Sequence, residues 1–314
     1  MYKYRYLFLL LSFSILITLI WFSNPQRLID AVIDSKKEFI FYAFVVSSFN
    51  MILRIMKWKI LTNFSFRDIA PVHLFGVAIS NFTPGKVAEP FKALLMKIKK
   101  GVSVSSVLPS IAWERILDIV TLVVLSIIAL HFLTVGSEFF LVSIVVIGIF
   151  SVLVVLLLMV IHSKSFGYTF FGFLRRFPLL KNVKSGFIES FYEEKIERKR
   201  ILYSLILTFI VWVLDGAILY LVLLSFGINS SPIILAGIVA ISILVGVASW
   251  LPGGIGSAEV TMIFLLGLTG VENSVAVASV LITRFITFWY GAGLGALSFA
   301  YLSKTMDLKK VKFS

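Results

Sequence analysis

The chain contains no cysteine and few charged residues. Its 314 residues include three histidines, and Lys, Arg, Asp and Glu together make up 14% of the sequence. The absence of cysteine excludes disulfides, thiolate metal sites and cysteine nucleophiles. The histidines His73, His131 and His162 lie far apart, without the short spacing of metal ligands, so we expect no metal and no cofactor. A soluble domain has close to one quarter charged residues, so the low charge argues against a soluble protein.

Apolar residues dominate the composition. They make up 59% of the sequence, and the mean hydropathy is +1.02. Apolar runs of about 20 residues recur, and each is long enough for a helix to cross a bilayer core. We therefore predict an all-α integral membrane protein, with a single polytopic membrane domain over residues 1–314. The net charge of +13 fits basic cytoplasmic loops beside anionic lipid heads, so we expect no nucleic acid partner.

The apolar runs predict about six to eight transmembrane helices. The predicted helical segments cover approximately residues 6–22, 39–56, 69–82, 90–100, 104–133, 139–162, 201–226, 232–250, 260–268 and 274–303. The first segment follows two basic residues and lacks a small-x-small cleavage site after it, so we expect an uncleaved signal-anchor helix. Segment 163–200 is polar and basic, with Val183, Phe187 and Phe191 at four-residue spacing, which predicts a cytoplasmic amphipathic segment on the membrane surface.

An ordered set of residues occurs twice in the chain. The first copy reads Asn81-Phe82-Thr83-Pro84-Gly85-Lys86-Val87-Ala88-Glu89, and the second reads Leu251-Pro252-Gly253-Gly254-Ile255-Gly256-Ser257-Ala258-Glu259. In both copies a Pro-Gly break follows an apolar run, and a glutamate and a short apolar helix come next. The same spacing then separates Gly101 from Arg115 and Gly270 from Arg284. We predict an internal repeat, with repeat 1 over about 39–133 and repeat 2 over about 201–303.

The distribution of Lys and Arg predicts how the repeats are oriented. The basic stretches 54–67, 86–100, 164–200 and 304–312 should be cytoplasmic, and the loops near 134–138, 227–231 and 272–273, which carry no Lys or Arg, should be external. Both termini are then cytoplasmic, and the segments that contain the breaks become re-entrant hairpins. Their tips are Pro84-Gly85 and Pro252-Gly253-Gly254. Three predicted spans separate the hairpins, which predicts an inverted repeat of the kind found in transporters. Segment 232–250 is long enough to span, so whether it spans or is re-entrant stays open.

Ionisable residues occur inside the predicted membrane helices. Glu114, Arg115 and Asp118 share one helical face, and Arg284 lies in the last predicted helix. An arginine near the bilayer centre costs about 2.5–3.5 kcal/mol, so such a residue has a partner or a task. One interpretation is an internal ion pair, such as Arg115 with Asp118. The other is a cationic cavity near the midplane that receives an anionic headgroup, because the planar guanidinium donates two parallel hydrogen bonds to phosphate.

Polar residues near the breaks are further candidates for substrate binding. Glu89 and Glu259 lie at the starts of the short helices, where a carboxylate either stabilises the helix N-terminus or has a gating role. Asn81 and Lys86 flank the first Pro-Gly and either bind a ligand or satisfy backbone groups freed by the break.

These motifs resemble a known family. Asn81 to Lys86 with Glu89 is similar to the first signature of the lysylphosphatidylglycerol synthase/flippase-like transmembrane family, and Leu251 to Gly256 with Glu259 is similar to its second. The resemblance covers nearly the whole chain. It implies a domain that moves an anionic lipid between leaflets. In bacterial multiple peptide resistance proteins, a separate C-terminal domain makes the lipid that the transmembrane domain moves. The chain ends just after its last helix, so we expect that synthase domain to be absent.

The resemblance implies a flippase of the cell membrane, without catalytic residues, for an anionic phospholipid or a polyprenyl-phosphate-linked lipid. Two alternatives stay open. A membrane-embedded lipid-modifying enzyme would need an acid–base pair, for which Glu114, Asp118 and Asp215 are the candidates. A transporter of a small soluble anion would have a cavity closed to lipid. Besides the bilayer and the lipid, a homodimer and a separate lipid synthase or glycosyltransferase stay open as partners.

Overall fold

The computed structural model describes Ser14, Thr18, Trp21 and residues 25–133, 137–174, 186–193 and 195–306. The regular structure within these ranges is helical and contains no strand. The helices are α1 (Pro25–Asp34), α2 (Lys37–Leu61), α3 (Phe66–Asn81), α4 (Phe91–Lys100), α5 (Val104–Phe132), α6 (Ser137–His162), α7 (Lys164–Leu174), α8 (Gly186–Glu193), α9 (Arg198–Ser225), α10 (Pro232–Ala248), α11 (Ser257–Leu268), α12 (Asn273–Arg284) and α13 (Tyr290–Thr305).

Five of these helical stretches are long and apolar enough to cross a membrane. They are Lys37–Leu61, Val104–Phe132, Ile144–His162, Arg198–Ser225 and the continuous Asn273–Thr305, in which a π-turn joins α12 to α13. The protein is therefore an all-α integral membrane protein, as the composition predicts. The predicted first helix at 6–22 lies outside the continuously described residues, and so does Val183 of the predicted amphipathic segment.

Two helical hairpins interrupt the series of long helices. Hairpin 1 consists of α3, the 3₁₀ turn Pro84–Lys86 and α4, and hairpin 2 consists of α10, the 3₁₀ turn Pro252–Gly254 and α11. The three long helices α5, α6 and α9 lie between them, as the sequence predicts. If each of these helices crosses the bilayer, the two hairpins enter the membrane from opposite sides. The inverted re-entrant arrangement stays a prediction, and labelling from each side of the membrane can test it.

Capping residues set the limits of hairpin 1. The side chain of Ser65 accepts a 3.3 Å hydrogen bond from the Asp68 N–H, and the side chain of Ser103 accepts one of 3.2 Å from the Ser106 N–H. Each serine thereby satisfies an N–H that lacks an intrahelical partner, and so begins α3 and α5 respectively. Gly101 ends α4 in the left-handed conformation, with φ +70°. These caps fix the short connections on both sides of the hairpin.

Each hairpin packs against the last long helix of the other repeat. Helix α3 packs on α13, α10 packs on α5, and the helices that precede the hairpins, α2 and α9, pack together. Glycines allow the reciprocal approaches: a methyl group at Gly295 would lie 2.2 Å from Cβ of Ala78, and one at Gly237 would lie 2.2 Å from Cβ of Ala129. The two predicted repeats are thus interleaved in this packing. The second Pro-Gly turn is largely buried, and the first is half-buried.

The two Pro-Gly turns meet each other. The indole of Trp250 lies 3.6 Å from the position that a Cβ on Gly85 would occupy, and a Cβ on Gly253 would lie 2.9 Å from the carbonyl oxygen of Asn81. Buried apolar side chains surround hairpin 2 on one side and hairpin 1 on the other. Charged residues of the long helices, among them Arg54, Asp215 and Arg284, lie close to the turns.

Candidate functional site

A cavity of about 110 Å³ lies where the two Pro-Gly turns meet. Residues of both hairpins and of α2, α9 and the last long helix line it. The polar side chains in its wall are Ser47, Asn50, Arg54, His73, Asn81, Lys86, Asp215, Arg284 and Thr287. A smaller cavity of about 40 Å³ adjoins it and shares Arg54, His73, Asn81 and Lys86, and it is also lined by Glu89, Glu114 and Arg115. Both matched arginines therefore face this central region.

Lys86 has an unusual backbone at the first turn. Its φ is +57°, and the residue in the corresponding turn of hairpin 2 is Gly254, with φ +63°. Residues with a side chain rarely adopt this left-handed conformation, whereas glycine adopts it freely. Lys86 lines both cavities and makes no ion pair with a described residue. The first repeat thus holds a lysine, at a conformational cost, where the second repeat has glycine.

Arg284 pairs with the glutamate that follows the second break. Its Nε donates a 2.6 Å hydrogen bond to Oε1 of Glu259, and an Nη donates one of 3.0 Å to the carbonyl oxygen of Gly253. Oε2 of Glu259 accepts a 2.6 Å hydrogen bond from the Gly256 N–H at the start of α11. The guanidinium also lies 4.6 Å above the ring of Phe288. Arg284 therefore ties the second turn to the last long helix.

Arg115 has the equivalent partner in the first repeat. Its Nε lies 2.7 Å from Oε2 of Glu89, the glutamate that follows the first break. One Nη lies 2.6 Å from Oδ2 of Asp118, and 3.6 Å from Oε1 of Glu114. Arg115 is 28% exposed, whereas Arg284 is 8% exposed. The more open arginine is thus the one shared among three carboxylates.

The carboxylates of α5 also bind two buried lysines. Nζ of Lys57 lies 2.5 Å from Oδ1 of Asp118, which also accepts a 3.0 Å hydrogen bond from the indole N–H of Trp212. Nζ of Lys92 lies 2.5 Å from Oε2 of Glu114. The side chains of both lysines are at most 2% exposed. Buried charges require partners at this distance, so these pairs fix α2 and α4 against α5.

Aromatic rings complete the surroundings of the second lysine. Nζ of Lys92 lies 4.7 Å from the ring centre of Trp58, which in turn lies 5.8 Å from the ring of His73. Nδ1 of His73 lies 3.9 Å from Oε1 of Glu114, and neither of these two atoms has a hydrogen-bond partner. These two buried polar atoms therefore remain without a hydrogen bond beside the cavity.

A separate pair lies on the opposite wall of the cavity. Arg54 of α2 forms an ion pair with Asp215 of α9, and the amide of Asn50 donates a 2.7 Å hydrogen bond to the same carboxylate. The guanidinium of Arg54 lies 4.9 Å from the ring centre of Trp212. Because α2 and α9 begin the two repeats, this pair joins the repeats across the site.

The charges of the central region balance except at Lys86. The paired cations are Arg54, Lys57, Lys92, Arg115 and Arg284, and the paired carboxylates are Glu89, Glu114, Asp118, Asp215 and Glu259. With all groups ionised these two sets cancel. Lys86 then leaves one uncompensated positive charge in this described part of the chain, and that charge faces the cavity.

The structure brings most of the predicted residues together. Asn81, Lys86 and Arg284 line the larger cavity, and Glu89, Glu114 and Arg115 line the smaller one. Asp118 and Glu259 lie behind the two arginines as their partners. The predicted tips, Pro84-Gly85 and Pro252-Gly253-Gly254, form the two turns. Substrate binding by these residues stays a prediction.

Sequence reasoning missed three cations of the site. It counted Arg54, Lys57 and Lys92 among the basic stretches 54–67 and 86–100 and did not single them out as site residues. The structure shows that Lys57 and Lys92 are buried, with 1% and 0% exposure. A signal was present in α2, where Asn50, Arg54 and Lys57 recur at helical spacing and so share one face.

No group of His, Cys, Asp and Glu suited to hold a metal ion occurs in the ranges 25–133, 137–174, 186–193 and 195–306. The candidate site is therefore described in terms of its own side chains. Its chemistry is that of cations, carboxylates and amides in a small internal cavity between two hairpins.

Comparison with known proteins relates the chain to membrane proteins. It is similar to a UPF0104 membrane protein of Methanothermobacter thermautotrophicus, with 26% identity over 91% of this chain and 92% of that protein. It is also similar to UPF0104 membrane proteins of Pyrococcus horikoshii, at 25% identity over 93% and 96%, and of Methanocaldococcus jannaschii, at 24% over 97% and 96%. Residues 9–295 match the family described as the lysylphosphatidylglycerol synthase TM region, and the chain belongs to that family.

Proposed function

We propose that this protein moves a phosphate-bearing lipid between membrane leaflets, and that the phosphate binds in the cavity between the two Pro-Gly turns. The lipid is an anionic phospholipid or a polyprenyl-phosphate-linked lipid. Lys86 carries the proposal, because it is a cation in the cavity wall without a carboxylate partner among the described residues. One uncompensated positive charge matches the single negative charge of a phosphodiester.

The backbone of Lys86 supports a functional role for its side chain. A non-glycine residue in the left-handed region costs about 1 kcal/mol or more, and residues held in this way cluster at binding sites. The corresponding position in hairpin 2 has Gly254, which adopts the same φ without that cost. If residue 86 served only to form the turn, glycine would suit the position better than lysine. Binding of an anion by the lysine side chain accounts for a lysine at this position.

The arginines supply further donors to the same cavity. The two hydrogen bonds of Arg284 involve two of the five N–H groups of a guanidinium, so other N–H groups remain for a ligand. Arg115 faces the adjoining cavity from the other repeat. In the proposed mechanism Lys86 binds the phosphate first, and Arg115 and Arg284 contact it as it passes between the repeats.

Exposed aromatic side chains beside the turns favour a lipid over a soluble anion. Phe82, Trp250 and Trp289 are all exposed. Phe82 contacts Phe288 of the cavity wall at 5.7 Å between ring centres. These rings form an apolar surface that leads to the cavity, along which acyl or polyprenyl chains remain in the hydrocarbon. Binding of a small soluble anion would not require an apolar surface beside the cavity.

We propose that the lipid is not chemically altered. Glu114, Asp118 and Asp215, the residues an enzyme would use as acid or base, lie in ion pairs with Lys92, Lys57 and Arg54. Each of these carboxylates is thus paired with a cation of a neighbouring helix, an arrangement that favours a role in helix packing. We place the protein in the cell membrane with both termini in the cytoplasm, from the distribution of basic residues.

The test uses purified full-length protein in liposomes with a fluorescent phosphatidylglycerol. Bleaching of the outer leaflet by dithionite measures the rate at which the lipid changes leaflet, and mass spectrometry of the recovered lipid detects any covalent change. We expect transfer without a change in mass, and a rate at least about tenfold lower for Lys86→Gln, because a charge-assisted contact is lost. Lys97→Gln is the matched control, since Lys97 is an exposed lysine of the same hairpin that does not line the cavity.

Lys86→Gly separates binding from folding. Glycine relieves the backbone strain, so this variant should unfold at the same temperature as the parent or a higher one while losing transport. Equal rates for the parent, Lys86→Gln and Lys86→Gly would overturn the proposal. A lipid of altered mass that depends on Glu114 would favour the enzyme, and uptake of free phosphate without lipid transfer would favour the small-anion transporter.

A further inference from the structure

A second cavity, of about 260 Å³, lies where three membrane helices end. It is bounded by the end of α2 at Leu61, the beginning of α5 at Val104 and the segment that leads into α9 at Arg198. We call it the surface pocket. Its lining residues are Leu61, Thr62, Asn63, Phe64, Val102, Ser106, Val107, Pro109, Ser110, Lys195, Ile196 and Arg200. Because the pocket lies at the ends of helices long enough to cross a membrane, we place it near the membrane surface.

The charge of the surface pocket has one sign. Lys195 and Arg200 line it, and no carboxylate is among its lining residues in the described ranges. Glu197 lies between the two cations in sequence, but it is exposed and outside the pocket. Two cations that share a cavity without an acid repel each other, which costs free energy unless an anion binds there. Ser106 and Asn63 add neutral polar groups to the wall.

One of the cations is held in place. An Nη of Arg200 donates a 2.6 Å hydrogen bond to the carbonyl oxygen of Thr62, which fixes the guanidinium against the loop between α2 and α3. This contact uses one of five N–H donors, so the remaining face of the fork is preorganised for an anion. Lys195 is exposed and can close on the same anion from the other side.

The inner wall of the surface pocket connects to the central site. Ser110 accepts a 3.1 Å hydrogen bond from the indole N–H of Trp58, and the ring of Trp58 contacts Lys92 of the buried cluster. Ser110 is also about one helical turn from Glu114 on α5. The surface pocket and the smaller cavity of the central site are thus both lined by α5.

We propose that the surface pocket is a second anion site, which binds the phosphate of a headgroup at the membrane surface. Free phosphate presents the same chemistry, so the test includes both sources. This inference stands apart from the proposed transport at Lys86, because the pocket shares no lining residue with the central cavity. If the proposed transport also occurs, the headgroup binds in the surface pocket before it enters the central cavity.

The test measures binding to full-length protein in detergent by calorimetry. The probes are dihexanoyl phosphatidylglycerol, inorganic phosphate and, as a zwitterionic control, dihexanoyl phosphatidylcholine. All proteins carry Lys86→Gly, which removes the unpaired cation of the central cavity, and comparison of pocket variants in this background cancels any binding that remains there. Lys195→Glu is compared with Lys199→Glu, which makes the same charge change at an exposed lysine outside the pocket.

We expect Lys195→Glu to weaken binding about fivefold or more, and Lys199→Glu to change it less than about twofold, because exposed charges act mainly through direct contact. Arg200→Lys should weaken binding less than Arg200→Gln, since it keeps the charge. Binding of phosphatidylglycerol that depends on Lys195 identifies a lipid headgroup, and binding of inorganic phosphate alone identifies the free ion. Equal effects at Lys195 and Lys199, or no saturable binding of either probe, would overturn the proposal.

Discussion

Arg284 donates a hydrogen bond of 2.6 Å from Nε to Oε1 of Glu259, the glutamate that follows the second Pro-Gly turn. The same pair of atom types meets in the first repeat, where Nε of Arg115 lies 2.7 Å from Oε2 of Glu89. Each pair links the short helix of a hairpin to the long helix that follows it. The two sequence copies therefore correspond in side-chain contacts as well as in residue order. That correspondence makes the pairs the natural place to test what holds the turns together.

Loss of one partner of the second pair should destabilise the protein. Arg284→Met leaves the Glu259 carboxylate buried, with 3% exposure and without its cation, which costs about 3–5 kcal/mol. The double variant Arg284→Met/Glu259→Gln should recover most of that loss, because glutamine can still accept the Gly256 N–H. Thermal unfolding in detergent measures both. Equal stability of the parent and Arg284→Met would show that the pair contributes nothing.

The first pair belongs to a network, so its partners are not interchangeable. Replacing Arg115 together with Asp118 would remove the nearest partners of Glu89 and Lys57, at 2.7 Å and 2.5 Å. Only the longer contacts of 3.7 Å, from Glu89 to Lys92 and from Lys57 to Glu114, would remain. Replacing Arg115 together with Glu89 leaves the pairs Lys57–Asp118 and Lys92–Glu114 intact. We therefore expect Arg115→Met/Glu89→Leu to be more stable than Arg115→Met/Asp118→Leu, by about 1–3 kcal/mol.

The same two variants decide whether Arg115 contacts the lipid. Both remove the guanidinium, but only Arg115→Met/Glu89→Leu keeps the pairs Lys57–Asp118 and Lys92–Glu114, so only this variant should remain well folded. Its leaflet-transfer rate is then free of a folding defect. Near-parent transfer would remove Arg115 from the phosphate path while leaving the proposal for Lys86 intact. Reversed stabilities of the two double variants would contradict the network described for Asp118.

Helix packing accounts for Gly295 of the last helix but not for Gly293, and the two form a matched comparison. A methyl group on Gly295 would lie 2.2 Å from Cβ of Ala78, whereas one on Gly293 would meet nothing within 4 Å. Gly295→Ala should therefore force α13 away from α3 and lower stability by about 1–3 kcal/mol. Gly293→Ala should be neutral or stabilising by up to about 1 kcal/mol, because alanine favours the helix. Similar unfolding temperatures for the two variants would argue against close packing.

The sequence predicted the helices well where an apolar run ends at a clear break. The predicted segment 104–133 is observed as Val104–Phe132, and 232–250 is observed as Pro232–Ala248. Its prediction for α2 ended at residue 56, because charged residues follow, yet the helix continues to Leu61. Lys57 did not end the helix because it is paired with Asp118 of α5, and Lys59 did not because it is exposed. Hydropathy along the sequence cannot reveal a partner on another helix.

The candidate site was predictable in part for the same reason. The two arginines and two glutamates stand out because they recur in both copies. Lys92 gave no such signal, since a lysine in a short amphipathic helix ordinarily faces water, whereas here it is fully buried against Glu114. The sequence also could not predict that Lys86 is unpaired, because this depends on how the other cations of the central region pair with its carboxylates.

The inverted arrangement that we predict for the hairpins determines which helix ends should be accessible from each side of the membrane. If hairpin 1 is re-entrant, Asn63 before it and Lys100 after it lie on the same side, together with Lys199. If hairpin 2 is re-entrant from the opposite side, Asn229 before it and Asn273 after it share the other side. All five side chains are exposed, and the chain has no native cysteine, so single-cysteine variants can be made directly.

A membrane-impermeant maleimide applied to sealed cells should label cysteines at Asn229 and Asn273. Inverted vesicles should show the reverse pattern, with label at the other three positions. Permeabilised membranes, in which all five should react, control for reactivity. Labelling of Asn229 and Asn273 from different sides would show that the segment between them crosses the membrane an odd number of times. Labelling of Lys199 and Asn273 from the same side would contradict the inverted repeat. Either result would also remove the premise that the phosphate passes between two hairpins that enter from opposite leaflets.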